Sequence, residues 1–234
     1  MPLGYYGFSD PTVILVLIGA VITILASGSV RSTYNKYAAV ASRTGMTGAE
    51  AAAKILRSQG IYDVTVQAVS GDLTDHYDPR TKTVNLSESV YHRTSVAALG
   101  VAAHECGHAI QDHAGYVPLR MRSAFVPVAS FGNKLAWPLV VFGLIIGLTP
   151  FVQIGIWMFL LVVLFQLITL PVEFNASSRA LGLLGSAGIM PDEEVRGAKK
   201  VLRAAALTYV AAAAASVLQL MRLIMLSGGR RRRG

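Results

Sequence analysis

The chain begins with a long apolar run, Pro11–Ser27, which is followed by the basic residues Arg31, Lys36 and Arg43 and is preceded by none. The run lacks the basic start and the small-residue cleavage site of a signal peptide. We therefore expect a retained transmembrane helix within residues 1–30. Because positive charge favours the cytoplasmic side of a membrane, the N-terminus should lie outside and the next segment in the cytoplasm.

Residues 123–172 are almost uncharged and are expected to form a transmembrane hairpin. Helices at about 124–148 and 152–172, separated by a Thr-Pro turn, are each long enough to cross a hydrocarbon core of about 30 Å. Two crossings return the chain to the side that it left. The polar residues 173–203 should therefore lie on the same cytoplasmic side as residues 31–122.

The C-terminal part, residues 204–234, contains a fourth apolar stretch at 204–226 and then a basic tail. Its small residues would allow close packing between membrane helices, which favours a fourth span. A span would put Arg230–Arg233 outside, against the positive-inside tendency. A helix lying against the cytoplasmic part would instead keep the tail beside anionic lipid. Spanning is the preferred interpretation.

Short helices and strands are expected in the cytoplasmic part, residues 31–122. The first is a helix from the Thr47–Glu50 capping box to about Ser58, with Gly60 as its stop, and a strand over Ile61–Val69 follows it. Two further strands, over Leu73–Tyr77 and Thr81–Leu86, flank an Asp-Pro-Arg turn. The last is a helix that is capped by Ser95 and ended by Gly115. An extended substrate could add to the strand that precedes the last helix, and a purely structural hairpin fits the pattern equally well.

The composition agrees with a membrane protein. Of the 234 residues, 53% are hydrophobic and only 15% are charged, against about a quarter charged in soluble domains. The net charge of +8 comes from residues beside the apolar runs and in the tail. This placement indicates anionic lipid rather than nucleic acid as the partner. The single cysteine, Cys106, excludes an internal disulfide and is interpreted as a packing residue.

The helix that Ser95 begins carries the candidate chemistry. His104, Glu105 and His108 lie in the run V-A-A-H-E-C-G-H-A-I-Q at 101–111. Since the two histidines are four residues apart, they lie one turn apart on the same face of a helix. Two neutral imidazoles at this spacing can bind one Zn²⁺, and the glutamate between them can act as general base toward a water molecule.

A catalytic zinc site needs a third protein ligand. His113 follows His108 by five residues, which turns it about 140° away from the His108 face. His76 and His92 lie in loops or at strand ends and are weaker candidates. Glu173 is preferred, because a carboxylate at the end of an apolar span is costly unless it is paired or functional. Its alternative role is that of a capping or lipid-interface acid.

The chain resembles the membrane-bound neutral zinc metallopeptidases of YugP type over nearly its whole length. Three runs carry the resemblance: G-V-A-A-H-E-C-G-H-A-I-Q at 100–111, L-T-D-H-Y-D-P-R-T at 73–81 and P-V-E-F-N-A-S-S-R-A at 171–180. It is similar more distantly to the HtpX and CAAX-prenyl proteases, which also insert a membrane hairpin between H-E-x-x-H and a later glutamate.

The resemblance implies a site as well as a fold. His104, His108 and Glu173 would hold one Zn²⁺ and Glu105 would be the catalytic base. Ser177 stands where those distant relatives have Asp, an acceptor that would orient a zinc histidine. Asn175, Ser177 or a carboxylate that is not yet identified must take that role. The expected fold is a mostly α integral membrane protein with about four transmembrane helices and a small α+β zincin-like cytoplasmic catalytic domain.

The predicted function is that of a zinc metalloendopeptidase acting on protein or peptide substrates, membrane proteins among them, at the cytoplasmic face of the cell membrane. Two alternatives stay open: a non-proteolytic zinc hydrolase of a lipid or small amide, and a catalytically silent membrane scaffold. The motif fixes how water is activated and not what is cleaved. The candidates for stabilising an oxyanion are His76, Tyr77, Tyr116 and Arg179.

Overall fold

The computed structural model describes residues 10–231, with side chains as far as residue 228, so the two ends of the chain and part of the basic tail lie outside the described residues. The elements within this range are α1 (Val13–Ala38), α2 (Gly48–Ser58), β1 (Thr65–Val69), β2 (His76–Asp78), β3 (Thr83–Ser87), α3 (Glu88–Tyr91), α4 (Val96–His113), α5 (Val117–Ile146), α6 (Thr149–Ser186) and α7 (Asp192–Arg231). The protein is therefore mostly helical with a small sheet.

Within residues 10–231, four helices are long and apolar enough to cross a membrane: α1, α5, α6 and α7 as far as Gly228. This agrees with the expected number of apolar helices and includes the fourth stretch. The chain divides into two compact units. The apolar unit holds the residues up to Ala26, Met121–Leu170 and the residues from Thr208 onwards, and the polar unit holds Ser27–Arg120 and Pro171–Leu207.

Hydropathy marked the apolar stretches, but the helices continue well beyond them. The chain was expected to leave its third span at about residue 172, yet α6 runs unbroken from Thr149 to Ser186. It has 38 residues, nearly twice the number that a helix needs to cross a hydrocarbon core. Similarly, α7 begins at Asp192 and α5 at Val117, ahead of the predicted 204 and 124. Glu173 consequently lies inside a helix, not after the end of one.

The polar unit contains a three-stranded sheet in the order β1-β3-β2, with β1 parallel and β2 antiparallel to β3. Two predicted strands are displaced along the chain. The strand expected over Leu73–Tyr77 is only His76–Asp78, because Leu73 has a φ of +57°, which an extended strand cannot contain. The strand expected from Thr81 begins at Thr83, after Lys82 with a φ of +53°.

The local signals at helix ends are confirmed. Thr47 and Glu50 form the reciprocal capping box at the start of α2. The Ser95 hydroxyl accepts a hydrogen bond from the Ala98 N–H at the start of α4 (3.2 Å). Gly115, with a φ of +65°, follows the end of α4 in the left-handed conformation that favours glycine.

Helix α4 lies at the centre of the polar unit. Its alanines and Leu99 are buried in one apolar cluster with Ile55 of α2, Leu86 of β3 and Leu184 of α6. Small side chains on several faces of α4 allow the surrounding elements to approach it closely. The closest approach is at Gly107, where a Cβ would lie 2.5 Å from the carbonyl oxygen of Ala176 on α6. Glycine is therefore required at this crossing.

The apolar unit is also held by close backbone approaches. A Cβ on Gly132 of α5 would lie 2.8 Å from the Met158 carbonyl oxygen of α6, and one on Gly155 would lie 2.9 Å from the Ala136 carbonyl oxygen. Around these glycines a cluster forms from Val140, Phe159 and their neighbours. Small residues at helix crossings are the usual means by which membrane helices pack.

We predict that Gly107→Ala destabilises the protein by about 1–3 kcal/mol, because the added methyl group must push α4 and α6 apart. Gly182→Ala, on α6 with no atom within 4 Å of the new methyl position, is the matched control. It should be neutral or slightly stabilising through its helix propensity. Thermal unfolding in detergent measures both variants, and equal melting temperatures would show that the crossing tolerates a side chain.

Candidate metal centre

Two histidines of α4 and one glutamate of α6 converge in the polar unit. The rings of His104 and His108 lie edge to face with their centroids 4.8 Å apart. The Nε2 atoms of His104 and His108 lie 3.2 and 3.7 Å from the same atom, Oε2 of Glu173. One donor atom from each of the three residues falls within 4.8 Å of the others.

The three donors fit a zinc ion by their chemistry, and the two histidine–glutamate separations fit it by their length. Two imidazole nitrogens and one carboxylate oxygen form a known set for a catalytic zinc, and an open fourth position accepts water. Ligands at about 2.0–2.1 Å in a tetrahedron stand about 3.3 Å from each other. The observed 3.2 and 3.7 Å separations differ from that value by a few tenths of an ångström.

The burial of the cluster also indicates a cation site. The side chain of Glu173 is 2% exposed, and those of His108 and His104 are 10% and 15% exposed. A buried carboxylate is costly unless positive charge or hydrogen-bond donors compensate it. Burial lowers the pKa of His108, but the hydrogen bond that His108 donates to Glu173 and the negative charges of Glu105 and Glu173 outweigh burial and raise that pKa. The arrangement therefore favours positive charge between the imidazoles, which a proton or a metal ion can supply.

Glu105 lies between the two histidines in the chain and stands outside the group of three donors. It is buried, and its negative charge acts on both His108 and Asp75. The Asp75 carboxylate accepts hydrogen bonds from the Ser87 N–H at 2.8 Å and from the Ser87 hydroxyl. Burial, together with the charge of Glu105, raises the pKa of Asp75. Asp75 lies in the run L-T-D-H-Y-D-P-R-T at 73–81, which did not by itself indicate a role for this residue.

The Nδ1 atoms of both histidines, which are the outer ring nitrogens that do not face Glu173, have hydrogen-bond partners. The sequence alone did not identify these partners. Nδ1 of His104 lies 3.1 Å from the Ser177 hydroxyl, and Nδ1 of His108 lies 3.0 Å from Oε1 of Gln111. Ser177 therefore itself contacts a histidine. Asn175 contacts Gln111 and no ring nitrogen of these histidines in the described hydrogen bonds. Gln111 was missed because an amide in a helix gives no sequence signal for this role.

The other candidates lie elsewhere. Nε2 of His76 is 3.2 Å from the Asn85 side-chain nitrogen, and the His92 ring packs against Tyr91. His113 ends α4 at an exposed position. None of these three belongs to the donor group found among residues 10–231. Cys106 is fully buried with its sulfur 3.6 Å from the Ala52 carbonyl oxygen, and burial raises the pKa of its thiol, as expected for a packing residue.

A hydrogen bond joins the edge strand β2 to Asp112 of α4, which follows His108 in the sequence. The Tyr77 hydroxyl donates to Oδ2 of Asp112 at 2.8 Å, and Lys82 donates to the same oxygen at 2.6 Å. Tyr77 and Arg179, two of the candidates for stabilising an oxyanion, thus already donate to protein acceptors, Asp112 and Asn175.

We predict that Glu173→Ala abolishes stoichiometric zinc binding, because a catalytic site with two remaining protein ligands loses most of its affinity. Glu193→Ala removes a carboxylate from an exposed ion pair with Arg43 and serves as the matched control. Elemental analysis of the purified variants should find zinc in the control and not in Glu173→Ala. Retention of one zinc per chain by Glu173→Ala would exclude this residue as a ligand.

Comparisons with known proteins agree with this centre. Residues 12–228 match the model of a family described as "Putative neutral zinc metallopeptidase". The chain is 45% identical to "Putative membrane protease YugP" of Bacillus subtilis (strain 168), over 92% of this chain and 95% of that protein. No solved structure matches it significantly. With a full-length family match and a relative at this identity, the chain belongs to the neutral zinc metallopeptidase family that the model describes.

Proposed function

We propose that this protein is a membrane-embedded zinc metallopeptidase that hydrolyses peptide bonds at the cytoplasmic face of the membrane. His104, His108 and Glu173 are the proposed zinc ligands, and Glu105 is the proposed general base. The observation that carries the proposal is the convergence of three donor atoms within 4.8 Å beside the buried carboxylate of Glu105. The descriptions of the family and of the Bacillus relative support both the metal and the class of reaction.

Zn²⁺ held by these donors would polarise the scissile carbonyl and lower the pKa of the attacking water toward about 7. Glu105 accepts a proton from that water as its oxygen bonds to the carbonyl carbon, and then delivers the proton to the leaving amine as the C–N bond breaks. Because Glu105 is not among the grouped donors, its carboxylate stays available for both transfers. Its burial strengthens its electrostatic interactions within the site.

A peptide is the substrate that the neighbouring sheet favours. The predicted addition of a substrate to the strand that precedes α4 is wrong, because that strand, β3, is central and is paired with both β1 and β2. An extended peptide can instead pair with an edge strand through main-chain hydrogen bonds, and β2 is an edge strand of this sheet. The hydrogen bond from Tyr77 of β2 to Asp112 of α4 links that edge to the helix carrying the histidines. The strand is three residues long, so it would hold only a short stretch of substrate.

The cytoplasmic location rests on the distribution of charge. Arg31, Lys36 and Arg43 follow the first apolar run, and no basic residue precedes it. The basic residues beside the spans would also hold the catalytic part, which we propose to be zincin-like, against anionic lipid. A membrane-bound site of this kind would cleave substrates that lie in or next to the bilayer.

We predict that Glu105→Gln keeps one zinc per chain and loses about 10²–10⁴-fold in turnover, since the ligands stay and the base is removed. Glu88→Gln, at an exposed position of the same unit, is the control and should keep activity. Profiling of new peptide termini in cells that express each form provides the readout. Identical termini with wild type and Glu105→Gln would refute a peptidase, and a lipid product lost in the variant would indicate a lipid hydrolase.

The topology has its own test, with single cysteines placed in a Cys106→Ala background. Gln59→Cys and Ser186→Cys, both exposed in the polar unit, should react only with reagents that reach the cytoplasm. Thr149→Cys, at the turn between α5 and α6, should react from outside. Labelling of Gln59→Cys and Ser186→Cys from opposite sides would separate Glu173 from the histidines and refute the site.

A further inference from the structure

A fully buried glutamine lies beside the second histidine. Gln111 is 0% exposed and follows His108 by three residues, nearly one turn along α4. Its side-chain nitrogen Nε2 donates to the Val172 carbonyl oxygen at 2.8 Å and to Oδ1 of Asn175 at 3.0 Å. Its oxygen Oε1 lies 3.0 Å from Nδ1 of His108. Both polar atoms of this buried amide therefore have partners.

These contacts fix which end of the amide faces the histidine. The Val172 carbonyl can only accept a hydrogen bond, so it requires the Gln111 nitrogen on its side. Oδ1 of Asn175 also accepts from Nε of Arg179 at 2.8 Å, and a guanidinium can only donate. Asn175 is thereby held with its oxygen toward Gln111. The two hydrogens of Nε2 are both used, and only Oε1 remains for His108.

The direction of the last hydrogen bond follows. Because an amide oxygen can only accept, the proton between Gln111 and His108 belongs to Nδ1 of the histidine. A neutral His108 that is protonated on Nδ1 carries its lone pair on Nε2. That atom faces Oε2 of Glu173, in the direction from which a metal would bind.

We propose that Gln111 is a positioning residue, which holds His108 in the tautomer and ring orientation needed to bind zinc through Nε2, and that Asn175 and Arg179 hold Gln111. The proposal rests on the zinc site proposed above and names the group that prepares one of its ligands. Residues that accept a hydrogen bond from a ligating histidine typically change metal affinity 10–100-fold when mutated.

The same glutamine joins the two helices that supply the ligands. Its bond to the Val172 carbonyl ends on the residue that precedes Glu173. One side chain thus fixes the His108 ring and the backbone beside the third ligand. His104 is held differently, because the Ser177 hydroxyl at its Nδ1 can either donate or accept. Ser177 does not by itself select a tautomer, which gives Gln111 the larger predicted role.

The test compares Gln111→Met with wild type. Methionine is close to glutamine in length and fills the site without hydrogen bonds. Zinc affinity is measured by competition with a chelator, and ligand geometry by the visible absorption spectrum of the Co²⁺-substituted protein. We expect 10–100-fold weaker zinc binding and an altered Co²⁺ spectrum. Wild-type affinity and spectrum in Gln111→Met would overturn the proposal.

A purely structural variant provides the control. Leu99→Ala shortens a buried side chain of the same helix and should lower the melting temperature without changing the Co²⁺ spectrum. If Leu99→Ala shifts that spectrum as Gln111→Met does, general loosening of α4 explains the effect and the proposal fails. If wild type itself binds no zinc, the proposed function fails. If wild type binds zinc and Gln111→Met binds it equally well, only the role of Gln111 fails, so the two failures are distinguishable.

Asn175 provides a second test if Gln111→Met does not accumulate. Asn175→Asp keeps an oxygen that can accept from both Gln111 and Arg179, so zinc affinity should stay close to that of wild type. Asn175→Leu removes the acceptor, frees the Gln111 amide to rotate, and should weaken zinc binding. Equal zinc affinities in Asn175→Asp and Asn175→Leu would overturn the role of Asn175 in holding Gln111.

Discussion

Helices α4 and α6 meet at Gly107, where an added Cβ would lie 2.5 Å from the carbonyl oxygen of Ala176. Every feature of the candidate site depends on this close approach. Gly107 lies between the two histidines of α4, and Ala176 lies one turn after Glu173 on α6. Because the two backbones are so close here, the side chain of Glu173 on α6 reaches the imidazoles of His104 and His108 on α4. A wider crossing would take the buried Glu173 away from both imidazoles, which is costly.

A buried acid between two histidines also constrains its surroundings. Each ring has its inner nitrogen facing Glu173 and its outer nitrogen hydrogen-bonded to a neutral partner, Gln111 or Ser177. Neutral partners leave Glu173 as the negative charge that directly faces both imidazoles. With Glu105 nearby, the negative charges of Glu105 and Glu173 both act on His108, which suits the binding of a cation. The ion's affinity, and with it the reactivity of the attacking water, should depend on how these neutral groups hold the rings.

Much of this arrangement follows from local sequence. The capping residues Thr47 and Ser95 and the spacing of His104 and His108 each act over a few residues, and the structure has them as expected. The extent of α6 could not be read from hydropathy, which reports the boundary of the lipid and not the end of a helix. The position of β2 depended on the left-handed backbone of Leu73, for which leucine gives no signal. Gln111 acquires its role from Val172 and Asn175, which lie more than 60 positions away, so only the tertiary structure indicates it.

X-ray absorption at the zinc edge of the purified, full-length protein tests the central claim most directly, because it reports which atoms surround the ion. The account predicts one zinc per chain with four nitrogen or oxygen neighbours at about 2.0–2.1 Å. It also predicts the outer-shell scattering of two imidazoles and no sulfur. Scattering from sulfur at about 2.3 Å, or from fewer than two imidazoles, would contradict a centre built from His104, His108 and Glu173.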